Sequence, residues 1–164
     1  MGSGKTTVGQ ELADKLGCLH VDLDDYIEQQ ERLSILKIIH DLGIIYFRKV
    51  ERKYLEQLLM LNDRMVLSLG GGTPCYYNNM ELIKKSPRSS SFYLRATVPF
   101  LTERLYEEKS GRPLIADIST KPDLAEFIGK HVLERSGFYD QANHTIDIEN
   151  KNPTTIAAEI AALG

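Results

Sequence analysis

The sequence predicts an α/β fold, a P-loop NTPase-type parallel sheet with helices on both faces and a mobile lid. Three observations predict it. The chain opens on Gly2-Ser3-Gly4-Lys5-Thr6-Thr7, the back half of the pattern G-x-x-x-x-G-K-[ST], whose backbone N–H groups curl around phosphate oxygens at the start of a helix. Strand-like runs at 18–21, 65–69, 91–94 and 145–148 alternate with stretches whose apolar residues repeat at threes and fours. Such alternation builds parallel sheets joined by crossover helices. Finally, the first run ends on Asp22 and the second on Gly70, at the strand ends where open α/β sheets bind ligands.

In the loop, glycines permit the tight curl, Lys5 is a mobile charge that can reach the outer phosphates, and the Thr6 hydroxyl suits a magnesium contact. Val8, Leu12 and Leu16 then repeat at helical spacing, and Gly17 supplies the residue that most often ends a helix in a left-handed turn. Cys18-Leu19-His20-Val21 reads as a strand running into Asp22-Leu23-Asp24-Asp25. If extended geometry continues through Leu23, Asp22 and Asp24 point to the same side.

Ser34 caps a short helix with Ile35, Ile38, Ile39 and Leu42 on one face and Gly43 closing it. A longer helix follows, with Phe47, Val50, Tyr54, Leu58 and Leu61 as its stripe. This turns Arg48, Lys49, Glu51, Arg52 and Lys53 to other faces, Arg48 beside the stripe. Met65-Val66-Leu67-Ser68-Leu69 is a continuous run of the kind found in buried parallel strands, and it stops at Gly70-Gly71-Gly72. Three glycines there let backbone approach a ligand closely.

Ser91-Phe92-Tyr93-Leu94 is a further strand, and Thr97 caps a helix carrying Leu101 and Leu105, with Arg104 on another side. Residues 107–114 are polar and punctuated by Gly111 and Pro113, an exposed loop with Arg112 at its tip. Leu124, Phe127, Ile128 and Val132 mark a helix that delivers Arg135. After a last strand at 145–148, Asn152 as cap and Pro153 at the first helical position start a helix with Ile156, Ile160 and Leu163 as its stripe.

At 164 residues with 42% hydrophobic content, the chain suits one domain with a proper core. A net charge of -3 gives no basic field for nucleic acid. No apolar run approaches the roughly 20 residues that span a membrane. Two cysteines without metal-ligand spacing, Cys18 and Cys75, read as small core residues of a cytoplasmic protein. The loop pattern asks for a glycine five residues before Gly4, where this sequence has three residues. The expectation is a natural protein extending upstream by about ten residues, through a central strand, with Met1 internal to the loop. Without that strand, those ending at Asp22 and Gly70 would lose a shared or adjacent partner.

Taken together, the phosphate loop, Val21-Asp22-Leu23-Asp24, Phe47-Arg48-Lys49-Val50-Glu51, Leu67-Ser68-Leu69-Gly70-Gly71-Gly72, Gly111-Arg112-Pro113-Leu114 and Glu134-Arg135 resemble the shikimate kinase family in order and spacing, over essentially the whole chain. The resemblance implies a monomeric, single-domain enzyme of aromatic amino-acid biosynthesis over residues 1–164. It would transfer the ATP γ-phosphoryl to the 3-hydroxyl of shikimate, with an acceptor region near 23–60 and a lid near 107–120. It implies that Asp24, Arg48, Gly70, Gly71 and Arg135 bind shikimate, the two arginines gripping its carboxylate. Gly2, Ser3, Gly4, Lys5, Thr6 and Thr7 would hold ATP phosphates, and Thr6 and Asp22 would serve Mg2+. Arg104 and Pro153 would border adenine, and Lys5, Asp24 and Arg112 would act in catalysis, Arg112 descending with the lid. Two rivals stand beside it. Another small-metabolite kinase such as gluconate kinase shares loop and lid but does not need two arginines for its acceptor; a non-catalytic nucleotide-binding protein fits the incomplete loop.

Overall fold

The computed structural model describes residues 2–108 and 114–164. Gly4, at φ 76, caps α1 (Lys5–Leu16), and Gly17, at φ 63, closes it with its N–H on the carbonyl of Asp14. After β1 (Leu19–Asp22) the chain turns at once into α2 (Leu23–Glu31), because the Asp22 carboxylate accepts the N–H of Asp24 and so caps the helix. The sequence carries no periodic signal for α2. Ser34 caps α3 (Ile35–Leu42) as expected, and α4 spans Ile44–Met60.

The strand β2 (Met65–Ser68) leads through Gly70–Gly72 into a 3-10 turn at Thr73–Cys75, then into α5 (Asn79–Lys85), which the sequence also left unmarked. Next come β3 (Phe92–Arg95) and α6 (Val98–Glu107) with its Thr97 cap. Beyond the undescribed residues lie α7 (Lys121–Tyr139), β4 (His144–Asp147) and α8 (Pro153–Ala161), the last capped by Asn152. Leu61 and Leu163, expected on apolar stripes, instead lie past their helix ends and are 47% and 49% exposed. Cys18 and Cys75 are free thiols, each half-buried rather than in the core.

The class is α/β, but the sheet consists of two parallel pairs. Leu19 to Asp22 pair with Met65 to Ser68, and Phe92 to Arg95 pair with His144 to Asp147. Among the described residues no strand lies between β2 and β3. Both line an apolar groove of about 550 Å³ together with Val8, Leu12 and Ile160. The strand ending at Asp22 thus keeps a partner, the one ending at Gly70. One core packs α2, α3 and α4 through Leu23, Ile27, Ile38 and Leu55, and a second packs α1 and α8 against β3 and β4 through Val8, Leu94, Ile146 and Ile156. Among the described residues no helix is long and apolar enough to cross a membrane.

The approach of α1 to the first sheet sets the height of the phosphate loop. A Cβ built on Gly9 would lie 2.6 Å from Ser68 Oγ and 2.7 Å from His20 Nε2. At Gly129, in the middle of α7, it would meet nothing within 4 Å. Helix propensity alone makes Gly→Ala favourable by up to about 1 kcal/mol at either position, whereas overpacking costs about 1 to 3 kcal/mol. Urea denaturation is therefore expected to show Gly129→Ala more stable than wild type and Gly9→Ala less stable by up to about 2 kcal/mol. Equal shifts at both positions would refute the close approach.

Candidate active site

The phosphate loop begins with Gly2 at φ 74 and Gly4 at φ 76, left-handed conformations natural to glycine. Ser3, Lys5, Thr6 and Thr7 follow at the open end of α1, with Thr6 and Thr7 exposed. The Thr6 hydroxyl donates to Asp22 Oδ2 at 2.8 Å, while Asp22 Oδ1 holds the α2 cap at 3.0 Å. A hydroxyl and a carboxylate, both hard oxygen donors, fit a magnesium ion that takes its remaining ligands from water and phosphate. The carbonyl of Lys5 accepts from Ser68 Oγ at 3.3 Å, and Ser68 also bonds His20 at 2.9 Å.

Asp24 departs from the expected strand geometry. It lies in the first turn of α2, so alternation along a strand does not bring it to Asp22; the cap does. Its carboxylate stands against the triple glycine turn, where a Cβ on Gly70 would lie 3.2 Å from Oδ1. Burial first, then the charges of Asp22 and Glu51, lift Asp24 to about 6, against the opposing pull of Lys5 and Arg48.

Glu51, expected only to lie off the apolar stripe, is buried, at 1% exposed. It accepts from Arg48 Nη1 at 2.7 Å and from the Thr73 hydroxyl at 2.7 Å. The Thr73 carbonyl accepts from Asn79 at 2.7 Å, and Asn79 accepts in turn from Arg52 at 3.1 Å. Arg48 lies against the rings of Phe47 and Tyr76, at 4.9 and 4.2 Å, and fills the place of a side chain at Gly72, whose Cβ would come within 2.7 Å of Nη2. Its Nε is buried and has no hydrogen-bond partner among the described residues. An anion supplied to that edge would satisfy it, and guanidinium forks suit carboxylates.

From the other side α7 brings Arg135 beside Cys75 and Tyr139, and the Tyr139 hydroxyl donates to the Gly71 carbonyl at 2.5 Å. A cavity of about 130 Å³ reaches from Ser3 and Lys5 to Gly70, Gly71 and Tyr139; Asp24, Arg48 and Arg135 are not in its lining. Arg104 lies over the phosphate loop, its guanidinium nitrogens 3.3 Å from where a Gly4 Cβ would stand, and pairs with Glu108 at 3.6 Å. Pro153 opens α8, which is tied to α1 through Thr154 and Glu11 at 3.0 Å. Arg112 lies outside the described residues, as does the tip of the expected lid. The sequence reading missed Thr73, Asn79 and Tyr139 altogether. Only the Arg135–Tyr139 spacing of four on a helix was a usable signal.

A shikimate kinase family model matches residues 1–163 of the chain. The chain is 40% identical to a shikimate kinase of Flavobacterium johnsoniae over 151 residues, 92% of this chain and 87% of that one. It is similar in structure to the shikimate kinase of Bacteroides thetaiotaomicron, at 28% identity and TM-score 0.88 over 99% of this chain and 93% of that one. It is similar also to the shikimate kinase of Acinetobacter baumannii solved in complex with shikimate, at 31% identity and TM-score 0.82 over 99% and 87%.

Two expectations follow from the geometry. Between about pH 4 and 6 the unfolded Asp24 has released its proton while the folded one still holds it, so its contribution to stability falls as pH rises through that window. In buffer without divalent cations, Asp24→Asn should therefore gain stability relative to wild type from pH 4 to pH 7; a pH-independent difference would refute the shift. Glu51→Ala leaves the Arg48 guanidinium and the Thr73 hydroxyl without their buried partner, and chemical denaturation should show a loss of about 3 to 5 kcal/mol. A loss under about 1 kcal/mol, the scale of an exposed pair, would contradict the burial of this network.

Proposed function

This chain belongs to the shikimate kinase family, and we propose that its cleft sets the 3-hydroxyl of shikimate in line with the γ-phosphoryl of ATP through the residues described above. The enzyme is a phosphotransferase that phosphorylates shikimate at the expense of ATP. One observation carries the assignment of the acceptor side: Arg48, fixed by Glu51 and by two rings, keeps a buried Nε–H with no partner among the described residues. A shikimate carboxylate supplies the missing acceptor, and Arg135 closes on it from α7.

With the carboxylate held there, Asp24 is the group that receives the reacting hydroxyl. Its carboxyl, lifted to about 6, is ionised at neutral pH yet a better proton acceptor than an exposed aspartate. Asp24 orients the hydroxyl and takes its proton late, because phosphoryl transfer passes through a loose transition state in which positioning and charge matter more than proton abstraction. Lys5 and the backbone of Gly2 to Thr7 hold the ATP phosphates at the helix start. Thr6 and Asp22 would hold magnesium, which when bound neutralises charge on the phosphoryl oxygens. Arg112, which lies outside the described residues, would add a further cation over the phosphoryl on closure of the expected lid, and closure would exclude water that otherwise competes as acceptor. Arg104, lying over Gly4, borders the nucleotide with Pro153. The protein works as a cytoplasmic monomer. A gluconate kinase shares the loop and lid but does not call for this pair of arginines on its acceptor.

An ADP-release assay across shikimate, quinate, gluconate and nucleoside monophosphates tests this reading, with turnover expected on shikimate. Arg48→Ala and Arg135→Ala should each raise the shikimate KM by about tenfold or more while the ATP KM stays within about twofold, since each removes a charge-assisted grip. Equal weakening of both substrates, or of neither, would remove the arginines from the acceptor carboxylate.

A further inference from the structure

We propose that Tyr139 is a positioning residue for the acceptor site, its hydroxyl tying the triple glycine turn to Arg135 and so holding the second arginine at a fixed height over the first. The inference rests on the functional reading above. Tyr139 is the last residue of α7 and stands one helical turn beyond Arg135, on the same face. Its hydroxyl donates to the Gly71 carbonyl at 2.5 Å, across 68 residues of sequence. With its one proton committed to that carbonyl, the oxygen keeps lone pairs for a donor, and the Arg135 guanidinium is the cation beside it. Burial pushes the phenol up more strongly than Arg135 draws it down, so the proton needed for the Gly71 bond stays in place at neutral pH. The ring is held by Tyr93, centroids 5.1 Å apart and planes tilted by 34°.

The peptide joining Gly71 to Gly72 is thereby held from two sides. Tyr139 takes its carbonyl, and the Arg48 guanidinium packs where a Gly72 side chain would stand. Because a peptide is a rigid plane, fixing the carbonyl fixes the surface against which Arg48 rests. Arg48 and Arg135 come from α4 and α7. Through Tyr139 they share one reference, the glycine turn, and a carboxylate gripped by two forks requires that their separation not drift.

Tyr139→Phe keeps the ring and removes only the hydroxyl. Steady-state kinetics should show the shikimate KM raised about tenfold, with the ATP KM and the melting temperature nearly unchanged. On an Arg135→Lys background the same change should add less than about twofold, because the guanidinium through which it acts has gone. An unaltered shikimate KM, a rise shared equally by ATP, or losses that multiply in the double variant would each overturn the proposal. A wild-type chain inert towards shikimate would overturn the functional reading and this inference with it. A working wild type beside an unaffected Tyr139→Phe overturns the inference alone.

Discussion

Glu51, a carboxylate 1% exposed in the middle of α4, is the constraint on which the proposed acceptor side of the cleft depends. An ion taken out of water and left unpaired costs several kcal/mol, so Glu51 is tolerable only with its partners in place. Those partners are Arg48, one helical turn back, and Thr73, in the turn after the glycines. Thr73 is bonded to Asn79, and Asn79 to Arg52, so that α4, the glycine turn and α5 form one hydrogen-bonded body. Arg48 is thereby held on its Nη1 side, its Nε–H unanswered among the described residues. On the proposed reading, a ligand carboxylate arriving there would meet a guanidinium already ordered, which is how preorganisation yields affinity.

The same buried acid reaches into the chemistry. Asp24 is raised by its own burial, by Asp22 and by Glu51, and lowered by Lys5 and Arg48. Two acids and two bases thus act on one buried carboxyl. The phosphate loop contributes Lys5 to this balance and the acceptor side contributes Arg48, so neither half of the cleft sets the basicity of Asp24 alone. On the proposed reading, a nucleotide drawing the Lys5 charge towards its phosphates would weaken one of the two lowering influences and strengthen Asp24 as a proton acceptor.

What could be read from the sequence was local chemistry. The loop glycines, the Ser34, Thr97 and Asn152 caps and the Gly17 stop depend on residues within one turn of each other, and all four helix boundaries stand as expected. What escaped depends on partners far along the chain. Glu51 looks like a solvated helix charge until Thr73, 22 residues on, supplies a hydrogen bond in the core. Tyr139 looks like an ordinary helix-end aromatic until Gly71 is brought to its hydroxyl. The D-x-D pair was misread for a subtler reason: strand continuation and helix capping compete for the same two residues, and a single hydrogen bond from Asp24 N–H decides for the cap. Helix α5 is seven residues long, too short for periodicity to register.

Both halves of the cleft are measured from β2. At Ser68 the strand bonds His20 on one side and the Lys5 carbonyl on the other, which seats α1 and with it the phosphate loop. Immediately beyond, Gly70 lies against Asp24, Gly71 accepts from Tyr139, and Gly72 yields its side-chain space to Arg48. The two groups of contacts are thus only a few residues apart along the chain, between Ser68 at the end of β2 and the glycine turn that follows. Phosphoryl transfer asks for little from the protein except alignment and charge, and alignment degrades steeply with ångström-scale drift. Contacts from Ser68, Gly70, Gly71 and Gly72 to elements on both sides of the cleft shorten the chain over which that drift can build up. The glycines are what allow this, because a side chain at Gly72 would stand where Arg48 now lies, and one at Gly70 would press on Asp24.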